Sequence, residues 1–133
     1  MESTTSEFAL KHIAGAEKVI NYFGYWESCH DAEILELSLR RPGLFTISVH
    51  ALGLDIELQA QGIMRYKHAI ITFLLRDVVD LSLEGYSAQN VISEITFESK
   101  EDHLRMQIWD CTGTSGWIEA KAIEVDLMWL KFD

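Results

Sequence analysis

This chain has one proline, two cysteines and no internal repeat, and no apolar run approaching the roughly 18 residues that a membrane-spanning helix needs. The lone Pro42 leaves no proline-rich linker, and no Gly/Ser-rich or low-complexity stretch divides the chain. Cys29 and Cys111 are too few for a disulfide scaffold; in an unexported chain both are expected to be reduced and packed. Also missing are a glycine-rich phosphate loop, a Gly-x-Ser-x-Gly elbow and a Cys-x-x-Cys pair. Without that machinery the expectation is a protein that is not an enzyme. Basic residues are scarce: 11 Lys and Arg face 21 Asp and Glu, for a net charge of −10. Nucleic acid and anionic lipid are gripped through Lys/Arg patches, so neither is an expected partner. A basic protein would be attracted, since complementary charge speeds encounter; the same charge also serves plain solubility. The start, Met1-Glu-Ser-Thr-Thr-Ser-Glu7, is polar and acidic, the opposite of a signal peptide's basic start and apolar run. A cytoplasmic protein is expected.

What is present is enough apolar material for a core. The 133 residues are 48% hydrophobic and include four tryptophans. A chain of that length forms one domain, 1–133, and buries roughly two-thirds of its unfolded surface without metal or disulfide. Residues 6–22 read as the one helix, with Phe8, His12, Ala16, Val19, Ile20 and Phe23 forming an apolar stripe at three- and four-residue spacing. Thr4-x-x-Glu7 suits a capping box and Gly24 a stop. Gly15 falls inside that helix, at a cost of about 1 kcal/mol relative to alanine unless it marks a close approach to the sheet.

From residue 31 to 132 the period is two. Leu35, Leu37 and Leu39 alternate with polar residues as a half-buried strand, and Arg41-Pro-Gly43 turns into a second strand carrying Phe45, Ile47, Val49 and Ala51. Gly53 punctuates before a third alternating stretch, 54–60, and residues 61–67 read as a loop. Ala69-Ile-Ile-Thr-Phe-Leu-Leu75 is apolar on both sides, which suits a central strand covered on two faces. Strands follow at 79–83, 91–97, 104–108 and 117–125, with an extended tail at 126–132. The fold class expected is α+β: an N-terminal helix packed on a mainly antiparallel sheet or sandwich of about seven to eight short strands.

The densest segment is Tyr22-Phe-Gly-Tyr-Trp-Glu-Ser-Cys-His-Asp-Ala-Glu33, at the junction of helix and first strand. With the leucine strand after it, this segment resembles the opening signature of the immunity protein 50 family. These are small bacterial proteins associated with polymorphic toxin systems. A second region, Val79-Asp-Leu-Ser-Leu-Glu-Gly-Tyr-Ser-Ala-Gln-Asn-Val91, resembles the same family through Gly85-Tyr86 and Gln89-Asn90. The resemblance spans roughly residues 22–126. It departs at Cys29, where an aromatic is expected, and in the length of the helix before Tyr22. It implies a non-enzymatic protein that binds a cognate toxin domain and blocks it. The residues it singles out are Tyr25, Trp26, His30, Asp31, Glu33, Gly85, Tyr86, Gln89 and Asn90, either in contact with the partner or shaping the junction.

The residues leave other chemistry open. His30, Asp31 and Glu33 are ligand types for divalent metals, and a small metal- or ligand-binding domain centred on them is the alternative function. On a strand, however, Asp31 and Glu33 share one face while His30 falls on the other. His50, His68 and His103 are isolated in the sequence. The structural alternative is that Asp31 accepts backbone amides in a turn and His30 bonds across to a neighbouring strand. Asp77 with Asp80, or Asp31 with Glu33, could be proposed as acid–base pairs, but Cys29 and His30 as neighbours would point apart. No residue is assigned to a metal, and no cofactor is expected. Tyr22, Phe23, Tyr25, Trp26, Tyr86, Trp109, Trp117 and Trp129 suit a core; exposed beside acids, Tyr25, Trp26 and Tyr86 would suit a partner surface. Leu127, Met128, Trp129, Leu130 and Phe132 fit a buried final strand, with a self-paired edge in a homodimer as the other possibility.

Overall fold

A computed structural model of the chain describes residues 10–130. Its elements are β1 (Ile13–Ala14), α1 (Ala16–Phe23), β2 (Glu33–Arg40), β3 (Leu44–Leu54), α2 (Ile56–Gln59), β4 (Tyr66–Glu84), β5 (Val91–Ser99), β6 (Leu104–Thr112) and β7 (Ser115–Leu130). The seven strands form one mixed sheet in the order β1-β7-β4-β3-β2-β5-β6, and β6 also pairs with β7. That extra pairing closes six strands into a ring, so the architecture is one curved sheet and not a sandwich. Every pairing is antiparallel except β1 with β7.

The helix is shorter than the 6–22 expected. Leu10 and Lys11 are helical, but the chain then extends as β1, and Gly15 at φ 87° reverses it into α1. A side chain on Gly15 would collide with the carbonyl oxygen of Val125. The glycine therefore marks a close approach to the sheet, and that approach breaks the helix. Thr4, Glu7 and Phe8 lie outside the described residues. Of the expected apolar stripe, Ala16, Val19 and Phe23 are buried while His12 and Ile20 are exposed, and Gly24, at φ 89°, stops α1 as expected while donating its N–H to Ile20 O at 2.7 Å.

Four strand expectations change. The stretch 54–60 is not a strand: β3 runs through Gly53 to Leu54, and Asp55 Oδ1 then accepts from Glu57 and Leu58 N–H at 3.1 and 3.2 Å, starting the single turn α2. The stretches 69–75 and 79–83 are one strand, β4, which absorbs Asp77 at φ 54° and a bulge between Val78 and Asp80. Its burial alternates: Ala69, Ile71, Phe73 and Leu75 are buried while Ile70, Thr72 and Leu74 are half-buried. Residues 117–130 likewise continue as one strand, β7, whose end is paired but not buried: Met128 and Trp129 are exposed, Leu127 and Leu130 are half-buried, and Phe132 lies outside the described residues. On β2 the leucine face is broken by a register shift between Ile34 and Glu36; Ile34 is buried, Leu37 is half-buried, and Leu39 is 58% exposed. Beyond Glu33, β2 has a partner strand on one side only among the described residues, so Leu35 and Leu39 stay open to solvent.

The ring's interior is filled by alternating side chains of β3, β4, β5, β6 and β7, among them Ile47, Phe73, Phe97, Met106, Ile118 and Ile123, all nearly solvent-free. α1 packs against β7, and Phe23 reaches Gly53 of β3, where a β-carbon would lie 2.7 Å from its ring. Among the described residues no helix is long and apolar enough to cross a membrane.

Candidate functional site

The junction from Tyr22 to Glu33 is a tight connection between α1 and β2, held from several sides. Tyr22 OH donates to His68 O at 2.9 Å, and Lys67 Nζ donates to Tyr22 O at 2.8 Å. Tyr25 OH donates to Leu54 O at 3.3 Å, and Trp26 meets Phe97 edge to face with ring centroids 6.0 Å apart. Both aromatics are half-buried and act as fasteners between junction and sheet.

Residues 29–32 form a turn with two positive-φ positions, Cys29 at 66° and Asp31 at 61°. Ala32 N–H closes it on Cys29 O at 3.1 Å. The buried carboxylate of Glu27 accepts the Cys29 N–H at 3.0 Å. Burial pushes the Glu27 carboxyl above the ordinary glutamate range, with the Cys29 amide partly offsetting it. The Cys29 thiol is also buried, and desolvation drives its pKa far upward, so it is an inert packing group and not a nucleophile. The role expected of Asp31, accepting turn amides, belongs to Glu27. No sequence signal separates Glu27 from a surface acid, since its burial arises only when the junction docks on the sheet, where Ile95 N–H of β5 donates to Ser28 O at 2.8 Å.

His30 behaves as the structural alternative requires. Its Nδ1–H donates to Ser93 O on β5 at 2.9 Å, while Nε2 lies 3.5 Å from Asp31 Oδ2. Both side chains are exposed, as is Glu33, whose backbone sits opposite His50 on one side and Val91 on the other. Among the described residues no three His, Cys, Asp or Glu side chains come together to hold a metal.

The second motif region meets the first. Asp31 N–H donates to Ile92 O, Ile92 N–H to Ala32 O, and Ile34 N–H to Asn90 O, at 3.0, 2.9 and 2.9 Å. These bonds join β2 to β5 and complete the ring, which explains why the two separated segments belong together. Asn90 is 4% exposed. Its Oδ1 accepts from Ser87 N–H at 2.9 Å and from the N–H and hydroxyl of Thr114 at 3.2 and 3.0 Å, while Nδ2 donates to Ser87 O at 2.7 Å. Gly85, at φ 80°, has room for no side chain: a β-carbon would lie 2.5 Å from Gly113 O. Gly85 and Asn90 therefore clamp the 85–90 loop onto the β6–β7 turn. Tyr86 is 60% exposed, and Gln89 is exposed and lends its carbonyl to Ser87 Oγ at 2.8 Å. Ser87 and Thr114, unremarkable in the sequence, are the clamp's other half.

The family model for immunity protein 50 matches residues 15–128, from the start of α1 nearly to the end of β7 and across both segments. No curated protein and no solved structure matches the chain.

Proposed function

This chain belongs to the immunity protein 50 family, and from that membership we propose that it binds a cognate bacterial toxin domain and neutralises it by occlusion, without catalysing a reaction. The match over residues 15–128 carries the reading, because an immunity family implies a toxin partner. The net charge of −10 supports a basic partner, and a basic active site that handles nucleic acid is a natural target for an acidic cover. The proposed role is played in the cytoplasm, needs no cofactor, and contacts neither nucleic acid nor membrane. The metal-binding alternative would have to use His30 through Nε2, since its Nδ1–H donates to Ser93 O.

Within this reading the nine motif residues divide by what they touch. Tyr25, Trp26, Gly85 and Asn90 hold the fold; His30, Asp31, Glu33, Tyr86 and Gln89 are exposed enough to meet a partner. The test is co-expression with a candidate toxin domain from the genome that encodes this chain. Cells that stop growing with the toxin alone should grow with both proteins present. Equal arrest with and without this chain would overturn the reading.

A further inference from the structure

On the outer face of the closed sheet, where β4, β6 and β7 meet, lies a groove of about 380 Å³ lined by Trp109, Trp117, Glu84, Asp110, Ser82 and Gln107. Two tryptophans and two acidic residues line it. Trp117 already shows what this surface does with a cation: the Arg105 guanidinium lies over its ring, 4.4 Å from the centroid, while Arg105 Nε bonds Glu119 Oε2 at 2.8 Å. A guanidinium over an indole with a carboxylate bonded to it is a favourable arrangement, because the ring face is electronegative and the charge-assisted bond holds the cation in place.

Trp109 offers the same parts without the cation. It is 42% exposed, and its Nε1–H is held by Thr96 Oγ1 at 2.9 Å, which fixes the ring. Asp110 follows it in the chain, Glu94 faces it across the β5–β6 pairing, and Glu84 lines the groove. None of these three acids is in an ion pair among the described residues, and no cation lies over Trp109 there. The Asn90 clamp fixes the groove's rim, since it ties the loop after Glu84 to the turn before Ser115. A fixed aromatic beside unpaired carboxylates is how hot spots for basic partners are built.

We infer that this groove is the docking point for an arginine side chain on a basic protein partner, stacked on Trp109 and held by Asp110 and Glu84. The inference rests on the immunity reading for the partner's identity, but the chemistry of the groove can be tested without the toxin. The isotope-labelled full chain is titrated with acetyl-Gly-Arg-Gly-amide up to about 10 mM, a range that captures millimolar affinities. The indole N–H signals of its four tryptophans are followed. Those of Trp109 and Trp117 should move while those of Trp26 and Trp129 stay. The double variant Glu84→Gln, Asp110→Asn, with unchanged thermal unfolding, should bind about tenfold more weakly, as expected on removing charge-assisted contacts. No movement, equal movement with acetyl-Gly-Glu-Gly-amide, or full binding by the variant each overturns the inference. In the co-expression assay, wild type that protects and a double variant that protects equally well would remove the groove and keep the immunity reading. Wild type that fails to protect removes the immunity reading, and the titration then decides the groove alone.

Discussion

Asn90 Oδ1 accepts both the backbone N–H and the hydroxyl of Thr114, so one buried amide ties the loop after β4 to the turn between β6 and β7. The same amide also satisfies both backbone groups of Ser87. Asn90→Ala strands several buried polar groups at once, each costing about 1–3 kcal/mol, so a loss of about 3 kcal/mol is expected by urea unfolding. Gln89→Ala next to it should stay within about 0.5 kcal/mol of wild type, as surface substitutions do. Equal losses from the two would show that the clamp is not what holds the loop.

Gly15→Ala places a side chain at φ 87° and against Val125 O, where backbone cannot yield as a side chain would. The expected loss is at least about 2 kcal/mol, combining left-handed strain with displacement of β7. A thermal midpoint unchanged from wild type would mean that β1 does not lie on β7 as described.

The sequence was legible where local chemistry decides. The Arg41-Pro-Gly43 hairpin, the Gly24 stop and the alternation of Leu104, Met106 and Ile108 all stand where expected, and the family resemblance holds. It was illegible where distant backbone decides. Gly15 looks like a flaw in a helix until Val125 is placed beside it, and 54–60 alternates like a strand until Asp55 caps a turn. The joining of 79–83 to 69–75 depends on a bulge that no alternation pattern encodes. Within the candidate site, His30 bonding across to β5 was readable as a possibility, whereas the buried Glu27 and the Thr114 partner of Asn90 were not. Their roles exist only once the ring is closed.

Glu27 gives the fold a signed dependence on pH. Burial raises its folded pKa above the ordinary value of 4.5, so the folded chain holds that proton more tightly than the unfolded chain. Its contribution to stability is full below 4.5 and is lost as pH rises through the folded pKa. Glu27→Gln has no such proton to lose. The stability of wild type relative to Glu27→Gln should therefore fall between acid and neutral pH and then level. A difference that stays flat across that range would show that Glu27 does not titrate in the fold.

His30→Ala and Asp31→Asn change exposed groups and should shift stability by no more than about 0.5 kcal/mol. Zinc should leave the thermal midpoint of the wild type where it is. A zinc-dependent rise that His30→Ala abolishes would instead favour the metal-binding alternative, because a ligand that binds only the folded state raises its stability. If neither variant loses stability but either loses protection against the toxin, the turn lies at the partner surface.

Arg105 and Glu119 form an ion pair on neighbouring strands, two residues along from the groove's Gln107 and Trp117, and Arg105 holds the Glu119 carboxyl below its ordinary value of 4.5. The pair's stabilisation is present above 4.5 and is lost as pH falls through the lowered folded value. A double-mutant cycle with Arg105→Met and Glu119→Gln should give a coupling of about 0.5–1 kcal/mol at neutral pH, given the partial exposure of both side chains. The coupling should vanish in acid and shrink in high salt. Arg105→Met also uncovers the face of Trp117, so the arginine peptide should gain a second stacking plane in the groove and bind the variant at least as tightly as wild type. Weaker binding by Arg105→Met would mean that Arg105 positions the groove instead of merely filling one of its two aromatic faces.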